Sequence, residues 1–166
     1  MEILTAELNA DTPEMLRLVA RKLEELGYVK DGYEEALIQR EERYPTGLAV
    51  EELINVAIPH TEIEYALRQA LVLIKHPSSH FYFRKIDEPD KSLPVKIVFL
   101  LVVKEPEGYV KFLADLTGLF QDQKFIDIMK EGKPAAVAKF LKDRLDKYSP
   151  EYKGQLDFSG TPEIIR

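Results

Sequence analysis

The chain contains no cysteine and only three histidines in 166 residues. The first absence excludes a disulfide framework, a thiol nucleophile and any cysteine metal site. A basic excess is missing as well: 23 Lys and Arg stand against 29 Asp and Glu, a formal charge of −6. That argues against a nucleic-acid-binding surface, which neutralises phosphates with clustered cations, while leaving room for a small basic patch at an anion site. No apolar run approaches the roughly 20 residues that span a bilayer. The opening Met1-Glu2-Ile3-Leu4 is acidic and has no secretory core segment. The expectation is a cytoplasmic protein with no membrane insertion. The glycine patterns G-x-x-x-x-G-K-[ST], G-x-G-x-x-G and G-x-S-x-G are all absent, so nucleotide cradling and a hydrolase elbow have no support. What is present, 45% hydrophobic and 31% charged residues, describes one globular domain with a full core, too short for two ordinary ones.

Periodicity divides the chain into alternating elements. Asp11-Thr12-Pro13-Glu14 is a helix start, with a capping side chain, proline in the first turn and an acid at the positive dipole end. Leu16, Val19, Ala20, Leu23 and Leu26 follow at helical spacing, and Gly27 ends the run. A second helix from about Asp31 carries Tyr33, Ala36, Leu37 and Arg40 and stops before the loop Tyr44-Pro45-Thr46-Gly47. Strands are predicted at Ile54 to Ile58, Ala70 to Ile74 and Phe81 to Phe83, with a long central strand from Val95 to Val103. Three further helices carry Val110 to Phe120, Phe125 to Met129, and Pro134 to Leu145. From Tyr148 to Arg166 the pattern stops, and this stretch reads as a flexible tail behind a domain of residues 1–147. Strands interleaved with helices give an α/β three-layer sandwich, a mixed central β-sheet with helices on both faces.

One position invites chemistry. In Val56-Ala57-Ile58-Pro59-His60-Thr61 a short apolar strand meets a proline, which lacks an N–H and ends the pairing. His60 then stands at a strand end, and neutral imidazole carries a nucleophilic nitrogen near physiological pH. Taken alone, the position suits either a nucleophile or a hydrogen-bonded structural histidine. His76 and His80 flank Pro77-Ser78-Ser79 in a surface turn, with no nearby carboxylate or cysteine to complete a ligand set. They read as structural or solvated, and no metal or cofactor is expected.

The order Arg40-Glu41, Thr46-Gly47, Ala57-Ile58-Pro59-His60 resembles the signature of enzyme IIA of the sugar phosphotransferase system, fructose/mannitol type. The turn Asp87-Glu88-Pro89-Asp90, the strand Val95 to Val103 and Phe120-Gln121-Asp122 add to the likeness, which covers about residues 1 to 145. The resemblance implies an α/β sandwich that accepts a phosphoryl group from the phosphocarrier HPr on one histidine. It also implies transfer to a cysteine of enzyme IIB, which works with the membrane enzyme IIC. By carry-over His60 is the phosphorylated residue, Arg40 the phosphate-stabilising arginine, and Thr46 a hydroxyl bonding phosphate or His60.

Two departures stand out. Many members carry G-x-G shortly before A-[IV]-P-H, where this chain has the longer Glu51-Glu52-Leu53-Ile54-Asn55. Many also carry a second histidine where this chain has Tyr109, a hydrogen-bond donor without positive charge. Both resemble the galactitol-type branch, implying uptake of galactitol or a related polyol. A nitrogen-type regulatory domain, in which phosphorylation of His60 controls protein partners, is the alternative; a small-molecule binding module is a third reading. Leu48, Val50 and Phe112 are candidates for an apolar docking patch around His60.

Overall fold

The structure is a computed structural model that describes residues 1–51 and 54–159. Glu52 and Leu53 of the lengthened segment before His60 lie outside it, as does the last part of the expected tail. In chain order the elements are β1 (Glu2–Glu7), α1 (Thr12–Glu25), α2 (Tyr33–Arg43), β2 (Gly47–Glu51), β3 (Ile54–Ala57), β4 (Ala70–Lys75), β5 (Phe81–Arg84), β6 (Ser92–Val95), β7 (Ile97–Val102), α3 (Pro106–Leu119), α4 (Gln123–Glu131), α5 (Pro134–Arg144) and β8 (Glu151–Gln155). Six strands form one mixed sheet in the order β2-β3-β7-β4-β1-β8, and β5 pairs with β6 in a separate hairpin.

Helix ends follow the local chemistry. The Asp11 side chain accepts the Glu14 N–H at 3.0 Å, and Pro13 fills the first turn of α1. At the other end Gly27 takes φ +83°, a left-handed conformation that glycine adopts without strain. The Asp122 carboxylate caps α4 through the N–H groups of Lys124 and Phe125.

The central strands are buried on both faces, and side-chain alternation sorts them into two cores. Ala70, Val72 and Ile74 of β4 with Val98, Leu100 and Val102 of β7 pack under α1, α2 and the β5–β6 hairpin. Leu71 and Leu73 with Ile97, Phe99 and Leu101 pack under α3, α4 and α5. The molecule is therefore a three-layer α/β sandwich, as the pattern predicts. The expected long strand Val95 to Val103 is divided at Lys96. Val95 ends β6 inside the first core, Ile97 starts β7 facing the second, and the Lys96 ammonium reaches out to the Lys130 carbonyl at 2.6 Å. A continuous apolar run hides such a break because both sides of it are buried.

The reading of residues from Tyr148 onward as a patternless tail is corrected over 151–159. β8 pairs in parallel with β1 at the sheet edge, and the Thr5 hydroxyl meets the Tyr152 hydroxyl at 3.0 Å. Leu156 donates its N–H to the Thr5 carbonyl at 2.7 Å, and the Leu156 and Phe158 side chains are buried in the first core. The strand's own side chains are nearly all exposed, so the backbone ladder holds it, and side-chain periodicity carries no trace of that. Phe158→Ala should lower unfolding free energy by about 3 kcal/mol in urea titrations, the cost of truncating a buried aromatic. An unchanged midpoint would show that the segment adds nothing to the core.

Candidate functional site

The site forms where β3 ends. β3 runs parallel to β7, and Pro59, which cannot extend the ladder as a donor, still gives its carbonyl to the Leu101 N–H at 3.0 Å. The chain is thus pinned to the central strand one residue before His60, whose half-buried ring faces a cleft of about 170 Å³ lined by Arg40, Thr61, Glu62, Ile63, Val103 and Tyr109.

Two hydrogen bonds set the chemistry of the ring. His60 Nδ1 lies 2.8 Å from the Ile58 carbonyl oxygen. A carbonyl only accepts, so Nδ1 carries the proton and the lone pair of the neutral ring sits on Nε2. The Tyr109 hydroxyl, 3.1 Å away, donates to that nitrogen, with ring centroids 5.5 Å apart and planes inclined by 47°. Burial pushes the His60 pKa below its usual value; the Ile58 carbonyl resists, the nearby Arg40 charge reinforces, and Glu62 opposes. The imidazole is therefore neutral at physiological pH. Tyr109 is shifted upward by burial, with Arg40 opposing, so its phenol keeps the proton it donates.

Arg40 projects from α2 toward the same cleft. Its guanidinium stacks over the Tyr44 ring at 4.7 Å and pairs with Glu62, Nη1 to Oε1 3.6 Å. Glu62 is held in turn by the Thr61 hydroxyl, which with neighbouring donors keeps its carboxyl below the usual range. The cleft thus combines a lone-pair nitrogen, a phenol donor and a planar fork of N–H donors, a set suited to an oxyanion attached to or approaching Nε2.

His60, Arg40 and Tyr109 line the same cleft. Thr46 does not join them at the cleft. Its hydroxyl donates to Glu41 Oε1 at 2.8 Å and accepts the Ile58 N–H at 3.1 Å, while its own N–H donates to Glu41 Oε2 at 2.8 Å. The expected bond to phosphate or His60 is therefore corrected to a supporting one: Thr46 fixes the N–H side of Ile58, whose carbonyl fixes His60. Glu41, next to Arg40 in sequence, anchors Thr46 and was not foreseen. Gly47 completes the arrangement, since a Cβ there would lie 2.5 Å from the Arg84 carbonyl oxygen. Phe112 does not belong to a docking patch either. It is buried against Tyr148, ring centroids 5.2 Å apart, and Leu48 and Val50 are partly buried against the second core. Ile63, which lines the cleft, and Tyr44, stacked against Arg40, are apolar groups exposed at the site, which sequence spacing could not separate from core positions.

His76 serves its own turn. Its Nδ1 accepts the N–H groups of Ser78 and Ser79 at 3.2 and 3.0 Å, and its ring meets Phe81 edge-on. Among the described residues no group of three or more His, Asp and Glu is placed to hold a metal ion, and no helix is long and apolar enough to cross a membrane.

Burial lifts the Glu41 pKa from 4.5 to about 7, against the Thr46 hydrogen bonds and the Arg84 charge. The folded state therefore retains a proton that the unfolded chain has released between these two values, and stability falls as pH rises from about 4.5 to about 7. The contribution is at most about 3 kcal/mol. Glu41→Gln removes it, so urea titrations should show the variant gaining on the wild type between pH 5 and pH 8; a difference constant with pH would contradict this.

Comparison with known proteins places this geometry in a family. Residues 2–144 match the family model described as phosphoenolpyruvate-dependent sugar phosphotransferase system, EIIA 2. The galactitol-specific EIIA component of Escherichia coli K12 is 31% identical over 119 residues, covering 72% of this chain and 77% of that protein. Among solved structures, IIA mannitol from Escherichia coli shares the fold with a TM-score of 0.53 at 23% identity, covering 75% of this chain and 85% of that one. The mannitol-specific cryptic phosphotransferase enzyme IIA CmtB from Escherichia coli does so with a TM-score of 0.60 at 16% identity, over 86% and 92%. A mixed-sheet sandwich with a histidine at the end of its third strand, a match along most of the chain and a relative at this identity lead to one conclusion: the chain belongs to the EIIA 2 family of the phosphoenolpyruvate-dependent sugar phosphotransferase system.

Proposed function

We propose that this chain is a phosphoryl carrier that takes the group from HPr onto Nε2 of His60 and passes it to a cysteine of enzyme IIB. We assign it to a system importing galactitol or a related polyol through enzyme IIC. The observation that carries the reading is the ring itself: Nδ1 is committed to the Ile58 carbonyl, and Nε2 presents its lone pair to a cleft that also holds Arg40. The relatives named as galactitol-specific EIIA components support the choice of sugar.

The Nε2 lone pair forms the new N–P bond as the donor's bond to phosphorus breaks and its electron pair returns to the donor. The group in flight spreads charge over three oxygens, so positioning and electrostatic stabilisation account for most of the catalysis. The Arg40 fork meets that charge, and the Tyr109 O–H transfers its hydrogen bond from Nε2 to a phosphoryl oxygen. No proton needs to leave the ring, because Nδ1–H stays on Ile58 throughout. Passage to a thiolate reverses these steps, with the N–P electron pair returning to Nε2.

Incubation with phosphorylated HPr should add one phosphoryl mass to the wild type and none to His60→Ala; uptake of acid-labile phosphate by that variant would overturn the assignment. Tyr109→Phe should still be phosphorylated at His60 but about tenfold more slowly, the value of one hydrogen bond to a developing charge. An unchanged rate in rapid-quench measurements would remove Tyr109 from the reaction.

A further inference from the structure

The carrier reading leaves one charged group at the site without a part. Glu62 is half exposed and follows His60 by two residues, and its carboxylate lines the cleft that an incoming oxyanion has to enter. An acid is an unexpected neighbour for a phosphoryl group. It repels the group directly and also occupies the one arginine that lines the cleft, Nη1 to Oε1 3.6 Å.

Both contacts of the carboxylate bear on this. On one oxygen the Thr61 hydroxyl, from an otherwise buried residue, holds Glu62 against its own loop. On the other, the Arg40 pair has the length of a loose ion pair rather than of a hydrogen bond. An exposed pair of this kind is weak, whereas the guanidinium fork binds a phosphoryl group through two parallel N–H bonds. Arg40 therefore has a reason to exchange partners, and Thr61 keeps Glu62 in place when it does.

We propose that Glu62 is the resident competitor for Arg40. Its carboxylate neutralises and parks the guanidinium in the empty site, yields it when a phosphoryl group arrives on His60, and then stands unpaired beside that group. The consequence is functional. A carrier has to release what it accepts, and a site with arginine unopposed holds phosphate too well. Glu62 raises the energy of the loaded state and so keeps the group transferable. It also balances the Arg40 charge in the empty site, where no second histidine is present to share the work and Tyr109 supplies only a neutral donor.

The inference rests on the carrier reading, but its first test needs no protein partner. Inorganic phosphate is titrated into nitrogen-15-labelled wild type, E62Q, R40Q and the double variant, with the His60 ring nitrogens as the signal. E62Q should bind phosphate about fivefold more tightly than wild type, the scale of one exposed ion pair. In the R40Q background the same substitution should give a clearly smaller gain, because the guanidinium being contested is gone and only the direct repulsion by Glu62 remains. In equilibrium with phosphorylated HPr, E62Q should then shift the distribution toward phospho-His60 by a similar factor. The proposal is overturned if E62Q shows no gain in phosphate affinity, if it shows no phosphate-induced shifts at His60, or if the gain is undiminished without Arg40. Should phosphate behave as stated while HPr fails to load the wild type, the carrier reading fails and only the competition between Glu62 and an oxyanion for Arg40 stands.

Discussion

The hydrogen bond from His60 Nδ1–H to the Ile58 carbonyl, 2.8 Å long, decides which nitrogen of the ring can react, and the surrounding structure is arranged to keep it. A histidine at a strand end would ordinarily sample both tautomers and several rotamers. Here the carbonyl two residues back removes that freedom, and it can do so only because Ile58 is itself held. The Thr46 hydroxyl accepts its N–H, and Glu41 grips Thr46 at both the hydroxyl and the amide. One residue further on, the Pro59 carbonyl is tied to β7. The sequence motifs R-E, T-G and A-I-P-H thus meet in space as one support, with Arg40 on its outer side and Glu41 on its inner side.

Charge balance is the second theme. Arg40 enters the cleft between an aromatic face and a carboxylate, and the third group at the ring, Tyr109, is neutral. On the proposed carrier reading, a phosphoryl group on Nε2 meets a single positive charge that is already paired with Glu62. On that reading the loaded state is a compromise between stabilising the group in transfer and releasing it afterwards. Electrostatics at the half-exposed rim are modest in size, which suits an intermediate that has to be both formed and consumed.

Much of this architecture was legible in the sequence because it is written in side chains. The β-branched run ending in Pro59 announced the strand end, and the Asp11-Thr12-Pro13 cap and Gly27 bounded the first helix correctly. What could not be read is written in the backbone. β8 and its partner β1 leave little alternation, since one is an edge strand with exposed side chains and the other is buried on both faces between two neighbours. The break at Lys96 is hidden inside a continuous apolar stretch. At the site, Arg40, His60 and Tyr109 line one cleft, while Thr46 has the chemistry to bond phosphate but gives its hydroxyl proton to Glu41 and accepts the Ile58 N–H. Phe112 looked available for a partner and is core, because helical spacing alone does not say which face a protein covers.

The most direct measurement is the protonation pattern of the His60 ring, read from nitrogen-15 and carbon-bound proton correlations at neutral pH before and after phosphorylation. The account predicts a neutral ring with hydrogen on Nδ1 and a bare Nε2 in the free protein, and phosphorus coupled to Nε2 with Nδ1–H retained in the phosphorylated one. A proton on Nε2 in the free protein, or phosphorus on Nδ1, would contradict it.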